Sequence, residues 1–346
     1  MDASVSRPVV PRRDEDDIAA GLSVSLPLRA AVDQLPGAVR HLAGCHFGWW
    51  DQRGDPLVSE EGKGVRAALA LLACRAVGGG AEQGVPAAVA VELVHNASLL
   101  HDDVIDEDRL RRGRPALWTV FGVPAAVLAG DALFFLASQV LLEAGGALAS
   151  TGLARLNAAV QHLIDGEYAD VTFQDRPTVA IAEAQAMAQS KTGALIAAAC
   201  ALGAVAAGAD DGRVEQMRAF GAHLGAAFQL TDDLLGIWGD PQVTGKPRWS
   251  DLSARKKSLP ITRALASDSA AGQALARLYA MPGSLSLLQL EQAARLVEEA
   301  GGRSWSQSEA QRHIEVALHH LRAAEPEPRS AAGMASLARQ ISGRDR

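Results

Sequence analysis

The sequence predicts an all-α fold, and three observations carry that prediction. Apolar residues recur at three- and four-residue steps through almost everything after about residue 60, no stretch alternates apolar and polar residues as a strand would, and alanine dominates the apolar positions. With 346 residues, 48% of them hydrophobic, the chain can bury a large core. Residues 1–22, which include MDASVSRPVVPRRDEDD, lack the apolar centre of a leader and read as a solvated tail. Residues 23–346 read as one domain, because no linker is long enough to divide them.

The helices follow in order. Gly78-Gly79-Gly80 closes one, Pro86 sits at the start of the next, and Pro124 fits the first turn of a third. Further helical segments centre near Leu133, Leu156, Met187, Ala199, Leu224, Leu259, Leu290 and Val316. Residues 165–180 and 239–260 carry Gly, Pro and charge, and are expected to be loops capping the same end of a bundle. EPEPRSAAG is expected to be a short hinge before a terminal helix. The uncharged run from Thr192 to Ala209 barely reaches the ~18 residues a bilayer span needs, so a buried helix and no membrane span are expected. Cys45, Cys74 and Cys200 are far apart, which suggests neither a disulfide framework nor a zinc site and fits a reducing cytoplasm. A net charge of −7 argues against a nucleic-acid partner, whose binding would need a dominant basic surface.

Chemistry concentrates in HDDVIDEDRLRRGRP, from His101 to Pro115, where a run of carboxylates gives way abruptly to arginines. Asp102 and Asp106 are four apart and share a helix face, with His95 two turns earlier on nearly the same meridian. Stacked carboxylates repel, and a hard dication removes that penalty; Mg²⁺ takes one or two protein carboxylates and leaves room for phosphate oxygens. Arg111 and Arg112 then offer planar forks suited to phosphate. A second acidic turn lies in FQLTDDLLGIWGD, where Gln229, Asp232, Asp233 and Asp240 step along a largely apolar helix. Two such turns are best explained as facing walls of one metal-filled cavity. Lys63 and Arg66, Lys191-Thr192 and Lys246 supply cations for two polyphosphorylated ligands.

On these motifs the sequence resembles the trans-isoprenyl diphosphate synthases, or polyprenyl synthetases, over roughly residues 25 to 325, and within them the bacterial geranylgeranyl diphosphate synthases. DDVID resembles the first aspartate-rich motif, and Arg111-Arg112-Gly113, LAGDAL, Lys191-Thr192, FQLTDDLLGIWGD and GKPRWSDLSARKKSLP follow in the family's order. The resemblance implies an isoprenoid-synthase-type bundle of about ten or more helices around a central cavity, and a Mg²⁺-dependent 1′-4 condensation of isopentenyl diphosphate with dimethylallyl, geranyl or farnesyl diphosphate. It implies that Asp102, Asp106 and Asp232 hold three Mg²⁺ ions, with Asp103 and Asp233 completing the catalytic aspartates. Arg111, Lys191, Thr192, Gln229 and Lys246 would grip the allylic diphosphate, and Lys63, Arg66, His95 and Arg112 the isopentenyl diphosphate. A homodimer is the quaternary state it implies.

Several positions depart from the family pattern. Gly64 and Ala67 replace an arginine and a proline beside Lys63 and Arg66, Gly236 stands where the second motif has its third aspartate, with Asp240 as the candidate to compensate, Glu167 replaces a glutamine, and Trp249 sits where glycine is frequent. Ala97 and Ser98, just before the first motif, are small where bulky aromatics would shorten the product, which points to geranylgeranyl diphosphate. Two competing readings are a class I terpene cyclase, which has no use for Lys63, Arg66, His95 and Arg112, and a non-catalytic partner subunit, motivated by Gly64 and Gly236. A di-iron bundle would use Glu92 and His95 but needs a second Glu-x-x-His pair, so Glu92 reads as a helix-surface or structural acid.

Overall fold

Alanine-rich periodicity becomes helix along nearly the whole length of a computed structural model that describes residues 24–57, 64–241 and 247–342. The expected tail, Lys63 and Lys246 lie outside the described residues. In chain order the helices are α1 (Ser25–Val32), α2 (Gly37–Phe47), α3 (Val65–Ala76), α4 (Val85–Ile105), α5 (Leu117–Phe121), α6 (Val123–Ala144), α7 (Leu153–Gln174), α8 (Ile181–Ala188), α9 (Ala194–Ala206) and α10 (Asp211–Trp238). They continue as α11 (Ser250–Ser253), α12 (Leu259–Leu265), α13 (Ala270–Tyr279), α14 (Leu287–Glu299), α15 (Gly302–Ala323) and α16 (Pro328–Ser342). Pro86 and Pro124 occupy the first turns of α4 and α6, where a missing N–H costs nothing.

The most extensive helix pairings are α10 with α15, α4 with α6, and α9 with both α10 and α3. Helix α9 is buried from Leu195 to Val205, as its uncharged composition requires. Alanine and glycine let backbones approach closely here: a Cβ on Gly203 of α9 would run into the Ala70 carbonyl of α3. A second apolar cluster, including Ile237, Leu252, Ile261 and Val297, fastens α11, α12 and α14 to the end of α10.

Several expectations need correction. The stretch 165–180 is mostly helix: α7 runs to Gln174, leaving only a short connection before α8. Glu167 and Asp170 lie on a helix face that meets Lys191, and their charge is why composition made the stretch look like a loop. Helix α16 starts at Pro328, so only Glu325 to Glu327 remain as a hinge. Lys191 and Thr192 sit in a π turn, Gln189–Gly193, that joins α8 to α9. There is also a small hairpin, β1 (Leu110–Arg111) and β2 (Arg114–Pro115). Arg112 and Gly113 form its two-residue turn with φ of 52° and 71°, the left-handed pair that a tight hairpin needs.

Among the described residues two helical stretches are long and apolar enough to cross a membrane. The most apolar part of Ile181–Ala206 is mostly buried and belongs to the core, whereas that of Val123–Ala144 is mostly not buried. On the latter, Leu128, Phe135 and Leu142 repeat every seven residues and are 61%, 79% and 53% exposed. Ile164, Tyr168 and Val171 of α7 are exposed too.

Candidate active site

Four elements deliver charge to one end of the bundle. Helix α4 brings Asp102 and, at its C-cap, Asp106; the backbone N–H of Asp106 still donates to the Asp102 carbonyl at 2.8 Å, so the two remain stacked. Helix α7 brings Glu167 and Asp170, and the π turn brings Lys191. The Lys191 ammonium lies 2.7 Å from Asp170 Oδ2, 2.9 Å from Glu167 Oε2 and 3.4 Å from Asp102 Oδ1. From the segment after α11, Lys256 Nζ donates to Asp106 Oδ2 at 3.1 Å. Thus both charged stretches named from the sequence do meet at one end of the bundle.

These side chains are largely shielded, with exposures between 15% and 27%, so their pairing counts for more than an open surface bridge. Burial is the largest influence on Lys191 and opposes its charge, yet Asp170, Asp102 and Glu167 override it and raise its proton affinity. Lys256 behaves alike: burial works against the charge, and Asp106 and Asp170 overcome it. Burial raises the Glu167 pKa, and Lys191 pulls the other way. The resting cleft therefore carries its own countercharges. A melting curve recorded with and without a divalent-metal chelator should show the same transition; a clear drop on chelation would contradict this account.

Arg111 is held against the first acidic turn. Its guanidinium clamps Asp103, with Nε 2.7 Å from Oδ1, and reaches Asp102 Oδ2 at 3.2 Å. Asp103 is fully buried, and its Oδ2 has no hydrogen-bond partner. The hairpin presenting Arg111 and Arg112 is anchored by Arg114, which donates to the carbonyls of Cys45 and His46 at 3.0 and 2.9 Å.

A cationic lobe adjoins the acidic one. Arg66 Nη1 donates to His95 Nε2 at 3.2 Å, which leaves that nitrogen as the acceptor of a neutral ring. Burial, then the positive charges of Arg66 and Arg112, hold His95 well below the ordinary histidine range. Glu92 is not a surface acid: it is 8% exposed and accepts the Ala67 N–H at 3.1 Å, fixing the start of α3. Burial raises its pKa, and Arg66 partly offsets that. Asp232 lies near enough for its charge to bear on Arg66.

Behind the cleft runs a hydrogen-bond relay. Thr192 Oγ1 donates to Gln229 Oε1 at 2.6 Å, Gln229 Nε2 to Asp233 Oδ1 at 2.7 Å, and the Leu259 N–H to Asp233 Oδ2 at 2.8 Å. Asp233 is buried and committed to joining α10 to α12, whereas Asp232 is exposed. Asp240 is exposed at the end of α10.

The donor set suits a hard divalent cation, since Asp102, Asp106, Asp170, Glu167 and Asp232 offer only oxygen. Among the described residues no group of three or more His, Cys, Asp or Glu is placed to hold an ion by itself. Asp170 and Lys256 were not singled out from the sequence, and Glu167 was noticed only as a departure. The signal available was DGEYAD, where Glu167 and Asp170 stand three apart on one helix face.

Comparison with known proteins places this geometry. Residues 48–296 match the polyprenyl synthetase family. The chain is 43% identical over 317 residues to a (2E,6E)-farnesyl diphosphate synthase of Mycobacterium tuberculosis, covering 91% of this chain and 88% of that protein. It is 42% identical over 295 residues to a geranylgeranyl diphosphate synthase of the same organism, covering 85% and 84%. A crystal structure of polyprenyl synthetase from Streptomyces coelicolor superimposes with a TM-score of 0.90 at 45% identity, over 94% of this chain and 99% of that one. The chain therefore belongs to the polyprenyl synthetase family of prenyltransferases.

Proposed function

We propose that this protein catalyses the Mg²⁺-dependent head-to-tail (1′-4) condensation of isopentenyl diphosphate with dimethylallyl, geranyl or farnesyl diphosphate, giving geranylgeranyl diphosphate. The observation that carries the reading is the pair of adjoining lobes: carboxylates around Lys191 on one side, and Arg66, His95 and Arg112 on the other. One lobe suits a diphosphate accompanied by dications and the other a diphosphate bound by protein cations alone.

In this reading Asp102, Asp106 and Asp232 are the metal ligands. Arg111, Lys191, Thr192, Gln229 and Lys246 hold the allylic diphosphate, while Lys63, Arg66, His95 and Arg112 hold isopentenyl diphosphate. Mg²⁺, when bound, supplies the positive charge that steadies the departing pyrophosphate. Lys191 and Arg111 add fixed cations where that negative charge develops, so the allylic C–O bond can ionise. The isopentenyl double bond then attacks the allylic carbon, and proton loss to the released pyrophosphate restores an alkene. Asp103 and Asp233, each tied to its own partners, keep the two acidic turns in register. The alanine- and leucine-lined interior excludes water from the cation.

Product length rests on Ala97, which is fully buried, and Ser98, whose hydroxyl donates to the His95 carbonyl at 2.8 Å. Both are small, so in this reading neither sets a bulky stop below the first acidic turn. We further propose a cytoplasmic homodimer and one domain over residues 23–346. The exposed apolar seam of α6 and α7 supports the dimer, and three free cysteines suit the compartment.

The test offers geranyl and farnesyl starters separately and measures both pyrophosphate and product length. Pyrophosphate should appear only with isopentenyl diphosphate present, and Ser98→Phe should shift the product from geranylgeranyl to farnesyl or shorter. Release without isopentenyl diphosphate would favour a terpene cyclase, and no turnover by the protein alone would favour a partner subunit. A product that never passes farnesyl in the unchanged chain would overturn the length assignment.

A further inference from the structure

The second acidic turn is incomplete within its own helix. Asp232 and Gly236 stand four apart on α10 and so share a face, but Gly236 contributes no side chain. The space it leaves is filled from elsewhere. A Cβ at Gly236 would lie 2.5 Å from Asp251 Cγ, and 2.5 and 2.6 Å from the two carboxylate oxygens. The Asp251 carboxylate therefore occupies the volume that a side chain at 236 would take.

Its placement is built into the fold. Asp251 belongs to α11, which Trp249 opens in left-handed backbone with φ of 63°. Ser250 Oγ donates to the Gly236 carbonyl at 3.3 Å, and Leu252 is fully buried in the same apolar cluster as Ile237. The Lys256 N–H donates to the Asp251 carbonyl at 2.9 Å, while the Lys256 side chain reaches Asp106. One short segment thus touches both acidic turns.

We infer that Asp251 supplies the carboxylate that the second acidic turn lacks at Gly236 and joins Asp232 in holding the dication that accompanies the allylic diphosphate. The inference rests on the proposed prenyl synthase reading. Separation in sequence does not matter for this role, because a dication needs oxygen at a given point in space and not from a given helix.

Metal binding can be read without turnover. Mn²⁺ binding to the full chain is followed by electron paramagnetic resonance, in the presence of geranyl thiolodiphosphate, an allylic analogue slow to ionise. Asp251→Asn should weaken Mn²⁺ binding by at least about tenfold, the scale of losing one supporting group at a metal. Gly236→Asp alone sets two carboxylates in one volume and should also bind poorly. The double variant Gly236→Asp with Asp251→Gly returns the carboxylate to its place on α10 and should recover most of the affinity. That recovery distinguishes a ligand role from a structural one, even if Asp251→Asn proves unstable. Wild-type affinity in a folded Asp251→Asn, or no recovery in a folded double variant, overturns the inference. Asp102→Asn serves as reference: if it too binds Mn²⁺ normally, the metal-site reading fails with it, whereas loss there alone condemns only Asp251.

Discussion

Asp102→Asn should slow pyrophosphate release about 10³-fold at saturating substrates, the order expected when a preorganised electrostatic contact is lost. The asparagine keeps the shape of the side chain and α4 intact, so the change is one of charge. Asp102 stands where three groups converge: Asp106 one turn on, Lys191 at 3.4 Å from one oxygen, and Arg111 at 3.2 Å from the other. An amide there cannot bind a dication as a carboxylate does, and its NH₂ would meet Lys191 or Arg111 donor to donor. Steady-state kinetics beside a melting curve separates the effects. A folded Asp102→Asn within tenfold of the parent would remove Asp102 from the chemistry.

Gly203→Val should have the largest effect on stability, about 3 kcal/mol, at the upper end of what overpacking a core costs. Gly203 lies on the buried face of α9, with the Ala70 carbonyl directly over its Cα and the Ala73 methyl 3.0 Å from where a Cβ would sit. Ala70 and Ala73 are themselves fully buried, so neither can swing aside; α3 and α9 must separate. The urea midpoint should fall steeply for valine and less for alanine. A shift well under ~1 kcal/mol for valine would mean that this contact does not hold the helices together.

The helices were legible because burial of one face imposes a 3.6-residue period that alanine-rich composition does not obscure. Asp102, Asp106 and Asp232 stood out as candidates because a carboxylate on an apolar helix has few structural uses. What escaped was charge that resembled ordinary surface. Residues 165–174 looked like a loop since Glu167 and Asp170 signalled solvent, whereas they lie on a helix face that meets Lys191. Arg255, Lys256 and Lys257 read as one basic run, yet each goes its own way. Arg255 donates to the carbonyls of Tyr279 and Gly283, Lys256 to Asp106, and Lys257 lies over the Tyr279 ring. Only tertiary structure separates such neighbours. The π turn at Lys191 has no period to announce it, and the hairpin at Arg111 has strands too short for alternation to register.

The ammonium groups of Lys191 and Lys256 have a consequence for the fold itself. Since they already quiet the repulsion between the acidic turns, this end of the bundle does not lean on a bound cation to keep its shape, and the stability of the fold is uncoupled from whatever the site holds.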